Sequence, residues 1–81
     1  MRVRVLYFAG LRERAGTEGD EFDLPEGSRL RDAVAEVGRR RPNLAHLDAS
    51  IRTALNLELA KDESPLSDGD EVALLPPVSG G

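Results

Sequence analysis

The chain has 81 residues, 40% of them hydrophobic and 32% charged, with a formal net charge of −4. A domain of this size buries a modest core and leaves little room for an enclosed active site, and the acidic balance disfavours nucleic acid, whose binders need a basic face. The absence of cysteine excludes disulfides, thiolate metal sites and a cysteine nucleophile. No apolar run nears the ~20 residues that cross a bilayer. The opening Met1-Arg2-Val3-Arg4-Val5 has a strand pattern rather than a signal peptide's apolar core. No membrane association and a cytoplasmic location are therefore expected.

Residues 2–9 are rich in β-branched and aromatic types and predict a strand. Alternation sets Val3, Val5 and Tyr7 on one face, with Arg4, Leu6 and Phe8 on the other. Residues 10–16 predict one or two helical turns closed by Gly16 as a C-cap. A more polar strand is expected over residues 18–24, with Phe22 and Leu24 on one side, followed by a turn at Pro25-Glu26-Gly27.

Ser28 is a suitable N-cap for the clearest helix. Leu30, Ala33, Val34 and Val37 make one apolar stripe at helical spacing. Pro42 ends that helix near Arg41. The run Arg39-Arg40-Arg41 reads as a solvated helix end whose cations offset the macrodipole. Residues 44–51 suggest a further short helical turn. Residues 53–60 resemble a third strand carrying Leu55, Leu57 and Leu59 on one face. Asp68-Gly69 signals a turn before a last strand at 71–75. Pro76-Pro77 then stops the ladder, and Val78-Ser79-Gly80-Gly81 follows as a free tail.

The order strand, strand, helix, strand, strand predicts an α+β protein of the β-grasp type, a mixed sheet with one main helix packed on one face. The first two strands form a hairpin with a long connection. Residues 1–81 read as one domain with a flexible tail at 76–81.

No ordinary active site emerges. His46 is the only histidine and lacks a second ligand. The serines have no evident base partner. Asp68, Asp70 and Glu71 lack the alternating oxygen ligands of a calcium loop. The glycines form no phosphate cradle. No cofactor and no metal are expected. The C-terminus remains. Two prolines stiffen the exit from the last strand, and two residues without side chains, Gly80 and Gly81, suit a narrow channel in a partner. A carboxylate is a poor electrophile and needs activation, for example by adenylation with ATP. A sulfur donor then displaces the adenylate and leaves a thiocarboxylate, which delivers sulfur without any cysteine in the carrier.

Three stretches carry a resemblance to a known family: Val5-Leu6-Tyr7-Phe8-Ala9 with Leu11-Arg12-Glu13, Ala54-Leu55-Asn56, and the whole of 65–81 from Pro65-Leu66-Ser67-Asp68-Gly69 to Gly80-Gly81. On these the chain resembles the small, sulfur-carrying subunits of molybdopterin synthase, which have a ubiquitin-like β-grasp fold. The resemblance implies that a ubiquitin-activating-type adenylyltransferase uses ATP to adenylate Gly81. A sulfur donor converts it to a thiocarboxylate. The tail of Pro76, Pro77, Val78, Ser79, Gly80 and Gly81 then enters the large synthase subunit and gives sulfur to cyclic pyranopterin monophosphate. It further implies a heterotetramer of two small and two large subunits, with catalytic side chains on the partners. Positions Phe8, Leu59 and Leu75 correspond to an apolar docking patch. Alternation supports a partner surface independently, since Phe8 and Leu75 fall opposite in phase to Val5, Val72 and Leu74. Three other readings stand beside this one. They are a carrier for thiamine formation or tRNA thiolation, a ubiquitin-like modifier joined through Gly81 to lysines, and a plain interaction module.

Overall fold

A computed structural model describes residues 1–44 and 51–76. Its elements, in order, are β1 (Arg2–Tyr7), α1 (Gly10–Ala15), β2 (Gly19–Asp23), α2 (Leu30–Arg40), a single 3-10 turn (Pro42–Leu44), β3 (Arg52–Leu55), β4 (Glu58–Leu59) and β5 (Glu71–Leu75). The strands form one five-stranded sheet in the order β2-β1-β5-β3-β4. β1 and β5 pair in parallel at its centre, and the other pairs are antiparallel.

The predicted alternation places the core. Val3, Val5 and Tyr7 of β1, Phe22 of β2, and Val72 and Leu74 of β5 are buried on one face. Leu30, Ala33 and Val37 of α2 are buried against them, joined by Leu11, Leu24, Leu44 and Leu66. A strand has a side-chain period of two and a helix one of 3.6, so each element can offer one apolar face to the other. β1 and β2 form the expected hairpin, and α1 occupies the connection between them. Gly16 closes α1 in the left-handed conformation at φ 75°. Gly19 is needed for a different reason. A Cβ there would lie 2.4 Å from the Val5 carbonyl oxygen, so any side chain would push β2 off β1.

Four expectations are corrected. First, Arg29, not Ser28, is the residue that caps α2. Ser28 is buried, and its carbonyl accepts from the Leu66 N–H at 3.1 Å. The free N–H groups of Leu30 and Arg31 donate to the carbonyls of Ser64 and Asp62, while the Arg29 N–H donates to Asp32 Oδ2. The loop after β4 thus satisfies donors that a cap side chain usually satisfies.

Second, β1 ends at Tyr7, so Phe8 and Ala9 lie beyond it. Third, residues 53–60 are not one strand. Asn56 and Leu57 both take positive φ, 51° and 74°, the signature of a tight hairpin turn between β3 and β4. Leu55 therefore faces the core, Leu57 sits at the tip with 91% exposure, and Leu59 lies on the opposite face beside Ala54. Asn56 fits its place. Its N–H donates to the Glu71 carbonyl, its side-chain oxygen accepts from the Glu71 N–H, and its amide donates to Asp70. A leucine in the left-handed region costs about 1 kcal/mol. Leu57→Gly is accordingly expected to leave stability unchanged or raise it by up to about 1 kcal/mol, as read from a denaturant midpoint.

Fourth, the arginine run is not merely solvated. Arg40 lies over the Phe22 ring at 4.8 Å, and Arg39 and Arg40 both bind Glu36. Arg41 reaches inward, as described below. A 3-10 turn forms at Pro42–Leu44, and the short helical turn expected over 44–51 lies, from 45 to 50, outside the described residues. His46 lies outside the described residues, as do residues 77–81.

Candidate functional site

Among the described residues, no helix lies on the sheet's second face, and the register lays that face out in rows. The first row is charged. Arg4 pairs with Glu21 of β2 at 3.0 Å and approaches Glu71 of β5 at 4.0 Å. Two residues further along β1, Leu6 stands opposite Gly19 on one side and Ala73 on the other; Ala73 faces Ala54, and Ala54 faces Leu59. Gly19, Leu6, Ala73, Ala54 and Leu59 thus form a row of small and apolar residues across all five strands. The third row lies at the end of the sheet where β5 leads into the tail. Leu75 pairs with Arg52 of β3, and Phe8 lies alongside, its N–H directed at the Leu74 carbonyl at 3.3 Å.

Two of the sequence-predicted patch residues, Phe8 and Leu75, are therefore neighbours. Phe8 is 40% exposed and Leu75 half-buried. Leu59, 64% exposed, is on the same face but two strands from Leu75, reached through the row of Ala73 and Ala54. Sequence reasoning missed Leu6, Ala73 and Ala54 as the floor of this strip. The alternation of β1 already set Leu6 out of phase with the core. The alanines carried no such signal, because a small residue suits either face. Pro76 follows Leu75 directly. Pro77, Val78, Ser79, Gly80 and Gly81 lie outside the described residues.

Backbone strain sits at the patch. Ala9 has φ 49° and ψ −127° and turns the chain from β1 straight into α1. Such conformations cost on the order of 1–3 kcal/mol and persist only where surrounding structure dictates them. Here the Phe8 and Ala9 carbonyls accept the first α1 N–H groups, from Leu11, Arg12 and Glu13, at 3.0–3.2 Å. The turn leaves Phe8 on the open face, not folded under α1.

A polar cluster braces the same end from the core side. The Tyr7 hydroxyl donates to Asp20 Oδ2 at 2.6 Å, and Arg41 grips both Asp20 oxygens at 2.6 and 2.7 Å. Arg41 also donates to the Ala15 carbonyl at 3.1 Å. One guanidinium thus ties the end of α2 to β2 and α1. Burial, reinforced by the hydrogen bond to Asp20, pushes the Tyr7 phenol above its ordinary range. Arg41 holds Asp20 from its ordinary 3.8 down to about 2, against the opposing effect of burial.

Both shifts link stability to pH. The depressed Asp20 carboxyl stabilises the fold above about pH 4, and that contribution is lost as pH falls towards 2. The raised Tyr7 phenol stabilises the fold below its ordinary value near 10, and that contribution is lost above it. Asp20→Asn is expected to lower stability at pH 7 by about 1–2 kcal/mol and to flatten the acid limb of the stability curve. Tyr7 is the only tyrosine and there is no tryptophan. Phenolate absorbance therefore reads this one group, and it is expected to appear near pH 10 in denaturant but only at higher pH in the folded protein.

A mixed sheet with a parallel central pair, one long helix across one face and an uncovered apolar strip beside the exit of the last strand defines a ubiquitin-like β-grasp protein. The chain belongs to the ThiS family, whose model matches residues 5–81. It is 41% identical to the molybdopterin synthase sulfur carrier subunit of Chlamydomonas reinhardtii, with all of both chains covered. The crystal structure of the small archaeal modifier SAMP1 from Haloferax volcanii superposes with a TM-score of 0.92 at 30% identity, again covering both chains completely. A complex of subunits 1 and 2 of the molybdopterin-converting factor from Helicobacter pylori contains a chain with a TM-score of 0.73, 29% identity and full coverage of both chains. Among the described residues, no helix is long and apolar enough to cross a membrane, and no group of histidine and carboxylate side chains is placed to hold a metal.

Proposed function

We propose that this chain is a sulfur carrier in molybdenum cofactor biosynthesis and that the reacting group is the Gly81 carboxyl. An adenylyltransferase of the ubiquitin-activating type joins that carboxyl to AMP and releases pyrophosphate from ATP. A sulfur donor displaces AMP and leaves the thiocarboxylate. Inside the large subunit of molybdopterin synthase the thiocarboxylate sulfur attacks a carbon of cyclic pyranopterin monophosphate; the C–S bond forms as a C–O bond at that carbon breaks, and the oxygen leaves with the electron pair. Water then cleaves the acyl–sulfur bond and regenerates the carboxylate. Two carriers are consumed for the two sulfurs of one dithiolene, which suits a heterotetramer of two small and two large subunits. The body of the protein, through Pro76, presents the tail and holds no reacting side chain. The cytoplasm, where ATP is available, is its compartment.

The observation that carries this reading is similarity to a molybdopterin synthase sulfur carrier subunit over the full length of both chains, within a family match that runs through Gly81. The strip of Phe8, Leu75, Leu6, Ala73, Ala54 and Leu59 supports it, because an apolar sheet face left uncovered on a small domain is an interaction site. Phe8, Leu59 and Leu75 are the proposed anchors for the large subunit and the adenylyltransferase. The Helicobacter pylori complex, in which a similar chain is bound to subunit 2, supports the first of these partners.

Intact-mass analysis tests the chemistry. After incubation with the adenylyltransferase, ATP and a sulfur source, one terminal oxygen is expected to be replaced by sulfur. An unchanged mass would refute the carrier reading. A second reading is a protein modifier, favoured by the likeness to SAMP1. It predicts Gly81-linked lysine adducts on other proteins in a cell extract.

A further inference from the structure

Among the described residues, Phe8, Leu57 and Leu59 are the exposed large hydrophobics. Phe8 and Leu59 belong to the strip on the open sheet face. Leu57 is the most exposed of the three, at 91%, and neither the core nor the strip uses it. It is also strained. Its φ of 74° lies in the left-handed region, which a bulky side chain disfavours. Tight hairpin turns take Asn-Gly by preference, and this one has Asn56-Leu57. The chain therefore holds a leucine where glycine fits better, and folding gains nothing from its side chain.

The turn is firmly held. The Asn56 N–H donates to the Glu71 carbonyl at 2.8 Å, Asn56 Oδ1 accepts from the Glu71 N–H at 3.0 Å, and Asn56 Nδ2 donates to Asp70 Oδ1 at 3.0 Å. These bonds tie the tip to the start of β5. β3 and β5 are antiparallel, with Arg52 opposite Leu75 and Leu55 opposite Val72. Leu57 thus lies at the end of the sheet away from Leu75 and Phe8, about 13 Å off along β5. Leu59, on the strip, is two residues from Leu57, at most about 7 Å along the chain. The apolar surface runs from Phe8 and Leu75, through Ala73, Ala54 and Leu59, to Leu57.

We infer that Leu57 is an anchoring and orienting residue for the large subunit of molybdopterin synthase, seated in an apolar pocket of that partner at the far end of the docking face. The inference rests on the docking reading proposed above and adds a contact outside the strip. Strain without an internal reason is a mark of binding sites. The turn is already ordered in the free chain, so seating Leu57 buries apolar surface with little further ordering. The large subunit is the occupant because a lasting subunit interface buries about 800 Å² per partner, and Gly19, Ala73 and Ala54 offer little side chain towards that area. The Helicobacter pylori complex of subunits 1 and 2, which contains a chain similar to this one, supports the same partner. Contacts at both ends of the face fix the angle at which the sheet sits, whereas contacts at the Leu75 end alone leave it free to pivot.

The test titrates the full chain and its variants into the large subunit by calorimetry, with a denaturant midpoint for each. Leu57→Gly and Leu57→Asn both suit the left-handed region, and both remove the apolar side chain. Each is expected to keep or raise the midpoint and to lose about 10- to 100-fold in affinity, the range for fully burying one leucine. Leu57→Met keeps the apolar volume and should bind like the parent chain. Parent-like affinity in both Leu57→Gly and Leu57→Asn would overturn the inference, and weakened binding by Leu75→Glu in the same series would show the docking reading still standing. A loss in Leu57→Gly alone would trace the effect to a loosened turn and overturn it. So would self-association of the parent chain that Leu57→Asn abolishes with affinity for the large subunit unchanged, which gives the tip to a second copy. No binding by the parent chain would overturn the docking reading and the inference with it.

Discussion

Deleting Gly81, or adding a single residue after it, is expected to reduce molybdopterin formation to background while leaving the fold unchanged. The described body ends its ladder at Leu75, and among the described residues no core residue lies beyond Leu74. The far-ultraviolet circular dichroism spectrum and the thermal midpoint should therefore match those of the parent chain. The loss of function is expected to be complete because the proposed mechanism makes the Gly81 carbonyl carbon the reacting centre. Deletion moves the carboxyl back by one residue, some 3.3–3.6 Å along an extended chain, and a misplacement of even about 1 Å costs on the order of 100-fold in rate. An added residue buries the required carboxyl in an amide. A synthesis assay with the large subunit, the adenylyltransferase and a sulfur source checks this. Retained synthesis by either variant would remove Gly81 from the mechanism.

Leu75→Glu is expected to separate docking from folding. Leu75 faces the uncovered side of the sheet, so a carboxylate there meets solvent in the free protein. Its cross-strand neighbour is Arg52, a cation placed to pair with the new glutamate, and such pairs are worth about 0.2–1 kcal/mol. Stability should thus change little. In the complex the same carboxylate would be buried against an apolar partner surface. Burying a charge without a matched partner costs several kcal/mol, so affinity for the large subunit should fall by at least about 100-fold. Calorimetric titration against the large subunit reads the affinity, and a denaturant midpoint reads the stability. Phe8→Ala should weaken binding less, because it removes contact area without adding a charge. Unchanged affinity in Leu75→Glu would dismiss the sheet face as the docking surface. Equal loss of folding and binding would show Leu75 to be part of the core.

Much of the fold was legible where the pattern was local and strong. β1, α2 and β5 follow from alternation, a helical stripe and turn residues, and the observed Glu71–Leu75 strand matches the expected one. The hairpin of β3 and β4 was not legible. Asn56-Leu57 lacks the glycine that usually marks such a turn, and three leucines at even spacing imitate one strand face. The cap of α2 was misread for a related reason. Ser28 has the right chemistry, but the donors it would satisfy are taken by carbonyls of residues more than thirty positions away. Arg41 reads as one more cation at a helix end until the chain folds and brings Asp20 and Tyr7 against it.

The sequence by itself determined the chemistry that is open to this protein: no thiol, one lysine, and two glycines after two prolines. It also determined which residues of β1 and β5 share a face, because a strand's side-chain period follows from its backbone geometry. Only the tertiary structure decided which strands are neighbours. Strand order joined Leu6, Ala73, Ala54 and Leu59 into one strip and set Leu75 beside Arg52. Those contacts span many residues of chain, and they form only when helix and sheet bury their apolar faces against each other.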